Sequence, residues 1–336
     1  MRAIGFAHPG PIEAADALIA VDLPTPELGS HDLLVRVRAV SVNPVDVKVR
    51  AKSQPPAGTA RILGYDAAGI VEAVGADVTL FRPGDAVFYA GAINRPGSNA
   101  ELQAVDERVV GRKPQSLGFA AAAALPLTAI TAWELLFDRL DVRSRGATAD
   151  NSLLVVGGAG GVGSILTQIA RRLTDLTVIA TASRPETIAW AKDMGAHYVV
   201  DHRRPLDEAL AEIGVPEVSY VAALTGTDSY LPTLPKIITP QGAIAVIDDP
   251  ESLDVVPFKL KSIALTWEMM FTRSLFATPD MIEQHRLLDQ VADLVDKGIL
   301  RTTLTRTLKG LSVETLREAH AALESGRSIG KLVIEL

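Results

Sequence analysis

Ser152-Leu-Leu-Val-Val-Gly-Gly-Ala-Gly-Gly-Val-Gly163 is the stretch that decides the fold. It reads as a short apolar strand, a glycine turn and the first turn of a helix. Gly158, Gly160 and Gly163 keep the G-x-G-x-x-G spacing of a dinucleotide-binding turn. One glycine permits the tight turn, one lets the backbone approach a pyrophosphate, and one lets the helix pack on its strand. The helix N-terminus then offers N–H groups and partial positive charge to phosphate oxygens. Glycine-rich turns are common, so the flanks matter. Residues 153–156 precede the motif as a strand and residues 165–171 follow it as a helix. Gly158, Gly160, Gly161, Val162 and Gly163 are therefore the candidate phosphate contacts.

The second strand of such a unit ends about 20 residues further on, where a carboxylate would hold the ribose 2′-hydroxyl of NAD. Here the chain reads Thr177-Val-Ile-Ala-Thr-Ala-Ser-Arg184. No carboxylate sits at the strand end. Ser183 offers a hydroxyl and Arg184 a planar cationic fork, which suit a 2′-phosphate and favour NADPH. A structural reading stands beside this one: Ser183 caps the next helix and Glu186 completes a capping box.

The chain has 336 residues, enough for two domains. Its 48% hydrophobic content can fill sizeable cores, and a net charge of −7 argues against nucleic acid as the main partner. No polybasic tail, lipidation motif or signal region is evident, and no apolar run of membrane-spanning length is expected. The reading is a cytoplasmic protein. There are no cysteines, so disulfides, thiol nucleophiles and Cys-ligated metals are excluded. The 6 histidines form no H-x-x-x-H pair, and no metal is expected.

Patterning divides the chain. Residues 33–40 alternate with period two, 69–75 form a second strand, and Arg82-Pro-Gly-Asp85 turns into a third at 86–89. The first third is thus β-rich. From about residue 153, strands (178–180, 198–200, 220–224, 243–247) alternate with helices (185–194), the pattern of a parallel sheet covered on both faces. Pro235 and Pro240 punctuate the segment before the last of these strands. Helices follow at 279–298 and within 313–326, and Lys331-Leu-Val-Ile-Glu-Leu336 is a closing strand. Ligands in such sheets bind at strand C-termini, which adds Leu224, Thr225 and Ile247 as candidates.

Val42-Asn-Pro-Val-Asp46, Gly64-Tyr-Asp-Ala-Ala-Gly69, Arg82-Pro-Gly-Asp-Ala-Val87, Leu125-Pro-Leu-Thr-Ala-Ile-Thr-Ala-Trp133, the 158–163 glycines and Gly330-Lys-Leu-Val333 together resemble the medium-chain dehydrogenase/reductase superfamily, on its zinc-independent quinone oxidoreductase side. The resemblance implies a GroES-like β-rich catalytic domain (1–125 and 273–336) and an inserted Rossmann NADP-binding domain (126–272), with the active site in the cleft between them. It implies a homodimer or homotetramer, often built on Rossmann edge strands. By the same resemblance Thr128 approaches the nicotinamide or its ribose, His202 the adenine-side ribose and Lys331 a cofactor phosphate. Each has a plainer alternative: a helix-cap threonine, a surface-loop histidine and a solvated lysine.

The zinc alcohol dehydrogenases of that superfamily place a cysteine and Gly-His-Glu around a catalytic zinc. Asn43 and Gly64-Tyr65-Asp66 stand in the matching segments here. Without a Lewis acid, acceptors that delocalise incoming charge onto oxygen, quinones and α,β-unsaturated carbonyls, are the expected substrates. Tyr65 is the candidate hydrogen-bond donor to that oxygen, with packing against the core as its alternative. Asn43 and Asp46 resemble family residues lining the same cleft; a turn role before Pro44 and a loop-holding role are their alternatives. Phe271 and Phe276 line the acceptor pocket or belong to the core. Three functions compete: an NADPH-dependent quinone or enone reductase, a zinc-type alcohol dehydrogenase, and a non-catalytic NADPH-binding sensor or structural protein.

Overall fold

The computed structural model describes residues 1–144 and 151–336. The chain divides into two compact units, residues 1–130 with 271–336, and residues 131–270. The strands of the first unit begin with β1 (Arg2–Phe6), β2 (Ile19–Asp22), β3 (Asp32–Ser41), β4 (Arg61–Ile62), β5 (Ala67–Val74), β6 (Ala86–Tyr89), β7 (Leu102–Asp106) and β8 (Val110–Arg112). The second unit contributes β9 (Ser152–Val156), β10 (Thr177–Thr181), β11 (Tyr198–Val200), β12 (Val218–Ala223), β13 (Ile238–Val246) and β14 (Ala264–Trp267). The chain then returns to the first unit for β15 (Leu304–Lys309) and β16 (Lys331–Glu335).

In the first unit a seven-stranded sheet runs β15-β16-β3-β5-β6-β8, with β7 also pairing β3, and a second sheet runs β2-β1-β4. The alternation in β3 does what period two requires: Leu33, Val35 and Val37 are buried while Arg36 and Arg38 face out. Those apolar residues form one core with Val71, Val87, Leu316 from the helix Val313–Glu324, and Ile334 from the closing strand. The C-terminal strand therefore completes the N-terminal sheet.

The second unit is a six-stranded parallel sheet in the order β11-β10-β9-β12-β13-β14. Counted from β9 this is 3-2-1-4-5-6, the doubly wound order, which reverses direction between β9 and β12. All five residues of β9 are buried, as a central parallel strand covered on both faces demands. The helix Gly161–Leu173 buries Ile165, Leu166 and Ile169 and carries Arg171 and Arg172 in its last turn, where they suit the helix dipole.

Three sequence expectations are corrected. Pro240 does not precede the fifth strand but lies inside β13. The β12 pairing jumps from Val218 with Ile238 to Tyr220 with Ala243, so Pro240 sits in a ladder interruption where its missing N–H costs no bond. Asn43, given a turn role before Pro44 as its alternative, is instead the N-cap of the helix Pro44–Lys52, with Pro44 at its first position. An apolar stretch of membrane-spanning length is also present, the helical residues Phe119–Arg139. Of its apolar window 83% is buried inside the protein, which is the mark of a core helix. Its small alanines disguise the length of the run.

Candidate functional site

The glycine turn leaves β9 at the point where strand order reverses. Gly157 has φ +86°, a conformation that needs glycine, and its N–H donates to Thr181 Oγ1 at 3.0 Å. A Cβ on Gly158 would lie 2.6 Å from Ala180 Cβ, and one on Gly163 would lie 2.3 Å from the Gly157 carbonyl oxygen. The fold itself requires both glycines. Gly160 differs: its φ is −72°, and an added Cβ meets nothing closer than 3.5 Å. The absent side chain there serves no internal packing; it opens space over the helix N-terminus. No side chain caps that terminus, so the N–H groups of Gly161, Val162 and Gly163 point out of the first turn as helix geometry leaves them. This cradle fits a dinucleotide pyrophosphate.

The parallel sheet gathers the other cofactor candidates on the same carboxyl edge. Ser183 and Arg184 follow β10, His202 follows β11, Leu224 and Thr225 follow β12, and Ile247 follows β13. A Cβ on Gly157 would lie 3.0 Å from Thr225 Cγ2, so the first and fourth strands' loops meet across the reversal point. Beyond Thr225, Gly226 turns with φ +63°, and Thr227 donates its N–H and hydroxyl to Asp248. The expected cap is corrected. Arg184, not Ser183, is the N-cap of the helix Pro185–Asp193, and Thr187 Oγ1 accepts the Arg184 N–H at 3.1 Å. Glu186 instead lies 3.4 Å from the Arg184 guanidinium. Ser183 is thereby released from capping. His202 sits half-buried in a turn beside the Asp201–Arg203 ion pair.

The first unit holds a separate buried polar cluster. Lys331 is 4% exposed and spends all three ammonium protons, on Val42 O at 2.8 Å, on Asn43 Oδ1, and on Asp66 Oδ2 at 3.0 Å. Asn43 Nδ2 donates to Asp66 Oδ2 at 2.8 Å, and Asp66 Oδ1 accepts the Leu127 N–H at 2.7 Å. Asp66 thus caps the first turn of the helix Pro126–Trp133 from the residue just before β5. Asp46 Oδ2 accepts the Asn43 N–H at 2.8 Å and Oδ1 accepts the Gly64 N–H at 2.9 Å. Burial pushes Asp46 up to about 7 against those two donors and the Lys331 charge, with Asp66 adding to the rise. One ammonium facing two buried carboxyls leaves Asp46 without a cation of its own.

One expectation changes here. Lys331 is neither a phosphate contact nor a solvated lysine, because every donor on its ammonium is used inside the cluster. Thr128 is buried and its hydroxyl donates to the Leu125 carbonyl at 3.0 Å, one residue beyond the N–H that Asp66 caps.

Tyr65 lies between two of these carboxylates in sequence and is 1% exposed. Gly64 before it has φ +110°, and a Cβ there would meet Ser98 Oγ at 2.5 Å, so the fold fixes the tyrosine's entry. Phe271 packs edge-on against the phenol with centroids 5.3 Å apart, whereas Phe276 is 71% exposed and so lies outside the core. The Tyr65 hydroxyl accepts from Arg61 Nη2 at 3.5 Å. Burial and the Asp46 charge push the phenol above its ordinary range, and Arg61 pulls the other way. The phenol is therefore held as a neutral donor. Arg61 escaped the sequence reading, since nothing in a lone arginine opening a two-residue strand signals its contact with a tyrosine four residues on.

The same donors answer the question of zinc. Asn43 Oδ1 and Asp66 Oδ2, two of the oxygens nearest to a ligand set, hold an ammonium. A fixed cation on those atoms opposes a dication, and Tyr65 and Asn43 are poor zinc ligands. Among the described residues no group of three or more His, Cys, Asp or Glu side chains could hold a metal ion. The residues do not fit a catalytic zinc.

Comparison with known proteins agrees with this architecture. Residues 29–129 match the alcohol dehydrogenase GroES-like domain and residues 194–334 the zinc-binding dehydrogenase family. The chain is 44% identical over 340 residues to a zinc-type alcohol dehydrogenase-like protein of Staphylococcus aureus, covering 100% of both. It superposes on a putative zinc-dependent alcohol dehydrogenase from Rhizobium etli with a TM-score of 0.97 and 55% identity, covering 100% of this chain and 98% of the other. Over 198 residues it is 36% identical to an NADPH-dependent alkenal/one oxidoreductase of Arabidopsis thaliana, covering 56% of this chain and 49% of that protein. With its GroES-like unit, its doubly wound dinucleotide unit and full-length relatives, the chain belongs to the medium-chain dehydrogenase/reductase superfamily of nicotinamide-dependent oxidoreductases.

Proposed function

We propose that the protein is an NADPH-dependent reductase that delivers hydride to a quinone or an α,β-unsaturated carbonyl without zinc. The observation that carries this reading is the Lys331 ammonium on Asn43 and Asp66, which leaves the Tyr65 phenol as the electrophilic group. The preference for NADPH rests on Ser183 and Arg184 at the end of β10, where no carboxylate stands. The enone reductase relative in Arabidopsis supports both parts.

When bound, the nicotinamide cofactor supplies a hydride. The chain's own residues do the rest. Gly160, Gly161 and Val162 receive the pyrophosphate, and Ser183, Arg184 and His202 receive the adenosine end. Leu224, Thr225 and Ile247 border the same sheet edge. Tyr65 donates a hydrogen bond to the acceptor oxygen as negative charge develops there, worth most in a water-poor site. Asp46 and Asn43 hold the Tyr65 loop in place, and solvent supplies the proton that completes the product. Thr128 is positioned by the Asp66 cap on Leu127. A homodimer or homotetramer is part of the proposal, because β14 ends the parallel sheet with Trp267 half-exposed.

The test is loss of reduced-nicotinamide absorbance against a panel of quinones and enones, with NADPH and NADH in parallel after chelator treatment. Turnover with NADPH that survives the chelator supports the reading. Turnover that disappears on chelation and returns with zinc favours the zinc enzyme. Tight NADPH binding with no acceptor turned over favours a sensor.

A further inference from the structure

The Tyr65 hydroxyl has an unequal set of partners. A phenol offers one proton and two lone pairs. Arg61 Nη2 donates to one lone pair, and its other hydrogen goes to the Ile93 carbonyl at 2.8 Å, so the guanidinium is anchored. Arginine has no acceptor, so it cannot take the phenolic proton. Among the described residues that proton has no acceptor within hydrogen-bond distance, although Tyr65 is 1% exposed. A buried donor without a partner is costly, and native structures rarely leave one without a use. Phe271 packs on the ring and offers nothing polar.

We infer that Arg61 is a positioning residue for the reduction: by occupying the oxygen of Tyr65 it directs the phenolic proton away from the guanidinium, onto the carbonyl oxygen of the acceptor. This rests on the reductase reading above and deepens it. Because Arg61 is a cation against the phenol oxygen, it also polarises the O–H bond and strengthens it as a donor. The favoured ligands are acceptors with an anionic or strongly basic oxygen in the transition state. A saturated alcohol in the oxidation direction, which would present a proton to the same phenol, is disfavoured.

The experiment is a double-mutant cycle with Arg61→Met and Tyr65→Phe, assayed with NADPH and both 1,4-benzoquinone and cyclohexenone. NADPH dissociation constants are taken from fluorescence titration of each variant, and Arg61→Lys serves as the conservative rescue. Arg61→Met should lower kcat about three- to tenfold, the scale of one weakened charge-assisted hydrogen bond at the reacting oxygen. It should leave the NADPH dissociation constant within twofold. In the Tyr65→Phe background the same substitution should change kcat by less than twofold, and Arg61→Lys should recover at least half of the lost rate. A purely structural arginine, acting through Ile93, predicts equal losses in both backgrounds, and that result overturns the inference. So does Arg61→Met at wild-type rate while Tyr65→Phe is slow, which leaves the reductase reading standing. If the wild type reduces neither acceptor nor any other quinone or enone, the reductase reading fails and the inference falls with it. Should Arg61→Met prove unstable, Arg61→Leu carries the same cycle, with Arg61→Lys again as the rescue.

Discussion

Replacing Gly160 with alanine separates what the glycine turn does for the fold from what it does for the cofactor. At φ −72° the backbone accepts alanine, and the new Cβ would sit 3.5 Å from the Gly157 oxygen, an ordinary contact. Losing a glycine from the unfolded chain stabilises by about 0.4–1 kcal/mol. Alanine is a poorer N-cap than glycine, which costs about 0.5–1 kcal/mol. The two nearly cancel, so the net change is within about 0.5 kcal/mol and Tm moves by no more than about 2 °C. The methyl nonetheless fills the space over the first turn of the helix Gly161–Leu173, and NADPH affinity should fall at least about tenfold, or about 1.4 kcal/mol. Gly163→Ala is the control. Its Cβ would lie 2.3 Å from the Gly157 oxygen and 2.8 Å from the Gly158 carbonyl carbon, both backbone, so something must shift. Overpacking of that kind costs about 1–3 kcal/mol and should lower Tm visibly. Thermal denaturation and NADPH fluorescence titration on both variants decide the matter. Gly160→Ala with wild-type affinity refutes the phosphate assignment; Gly160→Ala with a collapsed Tm shows that the glycine is structural.

Further outcomes follow from the same geometry. Arg184→Ala should weaken NADPH by about 1.5–3 kcal/mol and NADH by much less, because only NADPH loses a charge-assisted phosphate contact; equal losses in paired titrations would remove the 2′-phosphate assignment. Tyr65→Phe should lower turnover and spare NADPH affinity, and unchanged turnover across several acceptors takes Tyr65 out of the mechanism. Lys331→Met should cost about 3–5 kcal/mol in urea denaturation by stranding the buried Asp66 carboxylate, and Asp66→Asn in the same chain should recover part of it. Stability should fall as pH rises toward about 8, most steeply above about 6.5, because burial and the Arg50 charge lower His320 from 6.5 to about 4 and so oppose the fall below that. Burial raises Asp46 from 3.8 to about 7, and burial with the neighbouring Glu134 raises Glu268 from 4.5 to about 8, so the folded chain binds more protons than the unfolded one across that window. Glu268→Gln should flatten the slope of Tm against pH, and a Tm that climbs from pH 5 to 8 contradicts the assignment.

Local patterns carried most of the architecture. The period-two apolar residues of β3 and the buried run of β9 record which faces their strands present, and both are properties of a few consecutive residues. Gly158 and Gly163 are legible because a Cβ at either would strike a close neighbour, Ala180 Cβ for the first and the Gly157 carbonyl oxygen for the second. The N-cap was misplaced by one residue because Ser183 and Thr187 both offer a hydroxyl, and only the observed backbone shows which one faces the Arg184 N–H. The polar cluster was beyond local reading. Lys331 meets Val42 across 289 positions of sequence, and that meeting exists only because β16 pairs with β3. The use of its three protons could not be inferred from a lysine at the head of a strand. Arg61 is close to Tyr65 in sequence, yet its contact depends on the Gly64 turn bringing the phenol back over β4.

The cluster also bears on the choice of acceptor. A zinc ion polarises a substrate oxygen through an open coordination position. The Lys331 ammonium, with Val42, Asn43 and Asp66 taking all its protons, has no position to offer. It can hold the Asn43 helix, the Tyr65–Asp66 segment and the helix that begins at Pro126 in one arrangement, but it cannot reach out of it. On the proposed reading, what remains for the acceptor oxygen is a neutral phenol steadied by Arg61. A hydrogen bond from a neutral donor stabilises an alkoxide far less than a bound dication does. An acceptor suited to this donor must therefore spread most of the incoming charge over its own conjugated framework. Rates should accordingly rise with the electron affinity of the acceptor along a graded quinone series. A flat series at saturating NADPH would place the slow step elsewhere, in product or cofactor release; a rate that instead followed added zinc would contradict the reading of the cluster itself.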